Sequence, residues 1–343
     1  MEAKIKPGYD TDRTRLADVI PLDVPFTLDL SPSSACNFKC FYCVHSKSSA
    51  ERENLGYKAQ NMPWDMFMKI VDQLSAFPKP LKHIQFVGLG EPLLNPKTPE
   101  MVKVLMERGI VEKQLDVFTN GYLLNEDVTH RLIDAGLTRL RISLQGLDAE
   151  SYKKNCGVDL DFQAFLKQIK YFYDNRGDTK LYLKIIDAML APGEEKIFYD
   201  MFGNICDEIF IEHLGSLQID MQDELTSIDE SLSLYRETIK TKDVCPFAFY
   251  SFQINALGDL YPCTPAGLPP SFLMGNIQNT TIAEFWQGKR RKSFLMKMLR
   301  DGRYSIPVCK DCTCWSAINS DSDFLDNDRK LLLGRLTGED NRV

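Results

Sequence analysis

The stretch KQLDVFTNGYLLNEDVTHRLIDAGLTRLRISLQG, Lys113 to Gly146, holds one complete strand–helix–strand repeat. KQLDVFTNG reads as a strand ending in a glycine, EDVTHRLIDAG as a helix with a glycine stop, and RLRISLQG as a second strand. The alternation continues in both directions. FTLDLS (Phe26 to Ser31), HIQFVGLG, KLYLKIIDA and DEIFIEHLG read as strands, with MPWDMFMKIVDQLSAF, PEMVKVLMERG, FQAFLKQIKYFYDNRG and EKIFYDMFGNI as the intervening helices. Six alternations fit between Phe26 and about Gly215. Such a series predicts parallel βαβ units with right-handed crossovers. Six units are two short of the eight-fold barrel, so the expected fold is α/β, an incomplete, open (β/α)6 barrel. Its chemistry should lie at the carboxyl ends of the strands.

The rest of the chain differs in character. Residues 1–25 form an N-terminal extension, 26–215 the partial barrel, and 216–244 a polar linker with one helical stretch. Residues 245–320 carry five cysteines and several turn signals and predict a small second domain; 321–343 form a charged tail. The 343 residues are 44% hydrophobic and 26% charged, which suits a globular protein. A net charge of −7 gives no general attraction to nucleic acid or anionic membranes. The basic run Lys289 to Lys292 reads as a solvated helix face. Charges are spread through the first 25 residues, and no apolar run reaches membrane-spanning length. A cytoplasmic location is expected, where ten cysteines are better explained by metal binding or catalysis than by disulfides.

SACNFKCFYCVHS, Ser34 to Ser46, places Cys36, Cys40 and Cys43 in one loop after the first strand. Disulfides need an even number, and a tetrahedral zinc site wants four ligands. Three thiolates can hold three corners of a 4Fe–4S cluster and leave the fourth iron open. A zinc site completed by His45 fits the spacing poorly. The C-x3-C-x2-C spacing, with Tyr42 before its last cysteine, resembles the signature of the radical S-adenosylmethionine (radical SAM) superfamily. GLGEP (Gly88 to Pro92), TNG (Thr119 to Gly121) and RISLQG (Arg141 to Gly146) follow in that family's order.

The resemblance implies a 4Fe–4S cluster at Cys36, Cys40 and Cys43 that reduces SAM to a 5′-deoxyadenosyl radical, with an external one-electron reductant of flavodoxin or ferredoxin type. It implies that Gly88, Gly90 and Glu91 lie at the SAM amino group, Tyr42 near the adenine, and Asn120 and Ser143 among the other cofactor contacts. Lys184, Asp187, Glu212 and His213 stand at later strand ends, where each can contact SAM or substrate or act as a base. Strand alternation predicts that only one of the adjacent Glu212 and His213 points inward.

Cys245, Cys263, Cys309 and Cys312 make a second, four-thiolate set, suited to a closed iron–sulfur cluster or a structural zinc. The layout resembles the SPASM and Twitch domains of radical SAM enzymes. The C-x2-C-x5-C-x3-C run of a full SPASM domain is missing, so one auxiliary 4Fe–4S cluster is expected, with Cys314 able to exchange with Cys312. Cys206 reads as core packing. Cys156 falls on the active face, as a buried small side chain or as a hydrogen donor to a substrate radical. The expected function is dehydrogenation of a small, polar, carbohydrate-like substrate. Epimerisation of a sugar-like substrate and maturation of a ribosomal peptide are the alternatives within the same chemistry, and a non-enzymatic iron–sulfur or zinc scaffold lies outside it. No nucleic acid or membrane partner is expected.

Overall fold

The computed structural model describes residues 2–215, 221 and 228–339. Its strands are β1 (Lys4–Ile5), β2 (Thr27–Leu30), β3 (Leu81–Phe86), β4 (Val111–Thr119), β5 (Arg139–Leu144), β6 (Lys180–Ile186) and β7 (Glu208–Glu212), then β8 (Ser251–Ile254), β9 (Asp259–Tyr261) and β10 (Gly275–Asn276). They form one sheet in the order β1-β7-β6-β5-β4-β3-β2-β8-β9-β10. The six strands β2 to β7 are parallel, each next to its successor, as the βαβ reading predicts. This is the incomplete (β/α)6 barrel.

Alternation along each strand separates two environments. Leu28 and Leu30, Leu140 and Ile142, and Leu181 and Leu183 are fully buried beneath the outer helices. The helices answer with apolar stripes at helical spacing: Trp64–Ser75 buries Phe67, Ile70, Val71 and Leu74, and Phe162–Asn175 buries Phe165, Ile169 and Phe172. Each such side chain contributes about 1.5–3 kcal/mol of burial. The opposite register is polar. Asp29, Gln85, Gln114, Arg141, Ser143 and Lys184 line the lumen.

Four features depart from the sequence reading. First, the N-terminal extension plugs the barrel. β1 pairs with β7, and the Gly8 carbonyl accepts from Arg139 Nη2 (2.9 Å) and Arg141 Nη1 (3.1 Å). A Cβ on Gly8 would lie 2.1 Å from Arg141 Nη2, so a larger residue there must displace that buried guanidinium. Tyr9 packs on Tyr235, Asp10 lies 3.5 Å from Lys113, and Arg13 pairs with Asp323 of the tail.

Second, the cysteine-rich region continues the barrel sheet: β8 runs parallel to β2 and β9 returns antiparallel. A second apolar core, including Leu16, Ile20, Phe249, Leu299 and Leu332, joins both chain ends to it. Third, Arg291 of the basic run turns inward from the helix Lys289–Asp301 and stacks on Trp286, because its guanidinium donates to the Ala248 and Trp286 carbonyls. Its neighbours Lys289, Arg290 and Lys292 are exposed. Fourth, a helix at Ala149–Cys156 was not expected.

The helical stretch expected within 216–244 falls partly on 216–220 and 222–227, outside the described residues; 228–244 are irregular. No helix among the described residues is long and apolar enough to cross a membrane.

Candidate active site

Cys36, Cys40 and Cys43 line one wall of a cavity of about 440 Å³ at the carboxyl ends of the barrel strands. Their loop is shaped by its own backbone and by its neighbours. Cys43 N–H donates to the Cys40 carbonyl (2.9 Å), and Lys39 N–H to the Cys156 carbonyl (2.9 Å). Phe38 is buried with its ring edge-on to Tyr122 and Tyr152.

The GLGEP segment fits this loop by lacking side chains. Gly88 (φ 126°) and Gly90 (φ 136°) sit in backbone regions that L-residues avoid. A Cβ on Gly90 would lie 2.2 Å from the Ser33 carbonyl oxygen and 2.9 Å from that of Ala35; one on Gly88 would meet Ser31 Oγ at 2.2 Å. Burial pushes the Cys36 thiol up to about 12, and the neighbouring Glu91 and Cys43 add to the effect. Cys36 and Cys40 resist ionisation in the protein alone and need a cationic centre to become thiolates, and the irons of a cluster supply one. The donor set fits the group.

Glu91 is almost wholly buried, and protein donors hold both of its oxygens. Oε1 accepts from Thr119 Oγ1 (2.7 Å) and Leu93 N–H (3.0 Å), and Oε2 accepts from Asn120 N–H (2.7 Å). The carboxylate thus ties GLGEP to TNG, and burial lifts its pKa to about 7 against the pull of these donors. Asn120 Nδ2 donates to Asn37 Oδ1 (2.8 Å), binding TNG to the cysteine loop. Tyr42 is half-buried with its hydroxyl on Gln145 Oε1 (3.2 Å), and Ser143 lines the same cavity. Gln145 was not singled out from the sequence; its position inside SLQG was the available signal.

Lys184 pairs with Glu212, and Glu212 also faces Arg141 at 3.6 Å. His213 Nδ1 lies 2.6 Å from Asp187 Oδ2, and its Nε2 is 3.0 Å from the Asp229 carbonyl. Both Glu212 and His213 line the cavity, correcting the expectation that only one would. β7 ends at Glu212, so alternation no longer applies to His213. Deeper in the lumen, Asp116 holds Arg139 through two contacts (3.0 and 2.7 Å) and lies 3.7 Å from Arg141. Sequence reading missed this network, although the alternation in RLRIS was its trace.

Cys156 does not line the cavity. It ends its helix fully buried, donates from Sγ to the Tyr152 carbonyl (3.0 Å), and hydrogen-bonds with Cys40. It backs the cluster loop, so a hydrogen-donor role toward substrate is corrected. Cys206 is buried against the Phe202 carbonyl, as core packing requires.

Cys245, Cys263, Cys309, Cys312 and Cys314 all line a second, small cavity. The chain brings them there from the entry to β8, the exit of β9 and the segment after the turn Arg303–Ser305. Arg303 is buried beside them, stacked on Tyr304 and Trp315 and anchored on the Lys242 carbonyl (3.0 Å). Burial raises the proton affinity of Cys309 and the Arg303 charge opposes it; the hydrogen bond with Cys314 lowers that of Cys312, and Arg303 adds to the effect. Cys314 also lines the large cavity, so it stands in the wall between the two.

Comparison with known proteins accords with this geometry. The profile of the radical SAM superfamily matches residues 30–195, and that of the SPASM iron–sulfur cluster-binding domain matches 245–313. The chain is 32% identical to the tungsten-containing aldehyde ferredoxin oxidoreductase cofactor-modifying protein of Pyrococcus furiosus, over 83% of this chain and 86% of that one. It is 23% identical to the dTDP-4-amino-4,6-dideoxy-D-glucose ammonia-lyase of Streptomyces venezuelae, over 72% of this chain and about half (53%) of the relative. In fold it is similar to BtrN, crystallised in complex with AdoMet and 2-DOIA, with a TM-score of 0.54, 20% identity, and coverage of 87% of this chain and 98% of that one. The family's cofactors are SAM and a 4Fe–4S cluster on the three-cysteine motif, joined by auxiliary iron–sulfur chemistry in the SPASM domain. The chain belongs to the radical SAM superfamily and carries a SPASM-type iron–sulfur domain on its C-terminal side.

Proposed function

We propose that this enzyme dehydrogenates a small, polar, hydroxyl-bearing molecule held in the barrel lumen. The observation that carries this reading is one cavity bordered by both cysteine sets: Cys36, Cys40 and Cys43 on one side and Cys314 on the other, with polar side chains between them. When bound, the first cluster and SAM supply the 5′-deoxyadenosyl radical, and a single auxiliary cluster accepts an electron. The protein's own part is to position the substrate and exclude water. Arg139, Arg141, Lys184 and Glu212 pair with one another and with Asp116. They therefore form a fixed dipolar wall, suited to hydroxyl groups. Cys156 lies behind the loop, and this favours dehydrogenation over an epimerisation that would draw hydrogen from that thiol.

The Pyrococcus relative supports a second reading, in which the substrate is an organic part of another enzyme's cofactor. It needs the same lumen and the same first step. The test is anaerobic reconstitution of the full chain and of the triple Cys36/Cys40/Cys43→Ala variant, counting iron and following SAM cleavage. About eight irons, falling to about four with loss of 5′-deoxyadenosine, is the expected outcome. A survey of polyols, sugars and small organic cofactors in deuterium oxide then separates the two substrate classes. Carbonyl products from none of them would overturn dehydrogenation.

A further inference from the structure

The charged groups bordering the lumen are nearly all spoken for. Arg13 is held by Asp323, Asp10 faces His83 and Lys113, and Lys184 holds Glu212. Glu91 is saturated by three protein donors. Glu212 Oε1 also lacks a hydrogen bond, but its carboxylate pairs with Lys184 and faces Arg141 at 3.6 Å. Among the described residues, Asp29 is the lumen carboxylate with neither a hydrogen bond nor an ion pair. It lines the cavity from β2, and its Oδ1 is sealed from solvent without a hydrogen-bond partner. A buried acceptor left open in this way costs about 1–3 kcal/mol; the rest of the Asp29 side chain borders the cavity.

Its place in the sheet gives this vacancy chemical meaning. Asp29 stands opposite Gln85 of β3 on one side and Gln253 of β8 on the other. β2 runs directly into the loop of Cys36, Cys40 and Cys43. Across β8, Gln253 is in register with Tyr261 of β9, two residues before Cys263. Asp29 therefore lies on the strand between the two cysteine sets. The charged groups that bear on it across the lumen are Asp116 of β4 and Arg141 of β5, and Asp29 in turn bears on the Cys263 thiol beyond β9. Burial and then Asp116 raise its proton affinity well above the ordinary carboxylate range, while Arg141 acts in the other direction. A base shifted upward toward the working pH is the more effective one.

We propose that Asp29 takes the hydroxyl proton of the substrate as its carbinol carbon is oxidised. This rests on the dehydrogenase reading above. The carbon-bound hydrogen atom leaves to the 5′-deoxyadenosyl radical, giving 5′-deoxyadenosine. The O–H proton passes to the Asp29 carboxylate, one electron passes to the auxiliary cluster, and the C–O bond becomes C=O. Two electrons and two protons leave the alcohol, and each has a named destination.

The test uses reconstituted full-length wild type and Asp29→Asn. The substitution is isosteric and breaks no hydrogen bond of Oδ1, so iron content and circular dichroism should match wild type. The first readout needs no substrate: the infrared difference between the two holoenzymes across pH. Wild type should show a protonated-carboxyl stretch, absent from the variant, that titrates away over the pH range in which product formation rises. A difference spectrum that does not change over that range overturns the proposal.

The second readout is carbonyl product per 5′-deoxyadenosine, using an alcohol that wild type oxidises in the survey. It should fall by about a hundredfold or more in Asp29→Asn. An unchanged ratio in the variant overturns the role of Asp29 alone. Absence of carbonyl product from wild type overturns the dehydrogenase reading, and the role of Asp29 with it.

Discussion

Replacing Gly90 by alanine tests how GLGEP and the cysteine loop are fitted together. Two costs add. At φ 136° an L-residue sits in backbone space that is essentially glycine's, worth about 1–3 kcal/mol. The new Cβ would also lie 2.2 Å from the Ser33 carbonyl oxygen and 2.9 Å from that of Ala35, both backbone atoms without a rotamer to escape into. Overpacking of this kind adds about 1–3 kcal/mol. The sum is about 2–6 kcal/mol. For a chain of 343 residues the unfolding entropy makes 1 kcal/mol worth about 1.4 °C, so Tm should fall by about 3–8 °C.

Gly109→Ala is the control. Gly109 has φ 63° with nothing within 4 Å of its Cβ position, so only conformational strain applies, about 1–2 kcal/mol and a drop of about 1–3 °C. Differential scanning calorimetry of the apo-proteins gives the two shifts, and iron analysis after reconstitution gives the local effect. Gly90→Ala should lose iron from the first cluster while keeping the auxiliary cluster; Gly109→Ala should keep both. Equal Tm shifts with full iron in both variants would refute the contact between GLGEP and the loop.

Asp116→Ala should cost about 3–5 kcal/mol in denaturant titration, because it strips Arg139 and Arg141 of their shared buried carboxylate. Glu91 predicts a pH dependence in the apo-protein. Its folded pKa of about 7 lies above the ordinary 4.5, so the folded state holds a proton that the unfolded state has released. The contribution is fully present below about pH 4.5 and is lost as pH rises through about 7, in total about 3 kcal/mol. Melting curves across this window should show the fall in wild type and a flatter profile in Glu91→Gln. Arg303→Met removes the guanidinium between Tyr304 and Trp315 and its charge beside the cysteines. Iron per chain should drop from about eight toward four, with the SAM-dependent spectrum of the first cluster retained.

The barrel was legible because each strand and each outer helix repeats a local pattern. RLRISL and KLYLKII alternate, and WDMFMKIVDQLS recurs at helical spacing. The first cysteine loop was legible from spacing, and the convergence of strand ends followed from topology. What escaped notice lacks period. Gly8, Tyr9, Asp10 and Arg13 are held by partners more than a hundred residues away or on other strands, and nothing local marks them as a plug. The helix Ala149–Cys156 is short and polar outside; its trace was the capping pair Asp148 and Ser151. Asp29 was visible as the one charge in FTLDLS, but only the structure shows that no protein donor meets its Oδ1.

The bond between Arg13 and Asp323 also sets an order of events. In a chain made from its amino end, the plug precedes the residue that clamps it by some three hundred positions. During synthesis the barrel strands and the partners of Gly8, Tyr9 and Asp10 are in hand before the Arg13 clamp can form. Contacts of such long sequence separation form late and slowly. The nascent protein therefore passes through a stage in which both cysteine sets have been made but the floor has not been locked. Closure from beneath, once the tail docks, would trap the finished clusters in place.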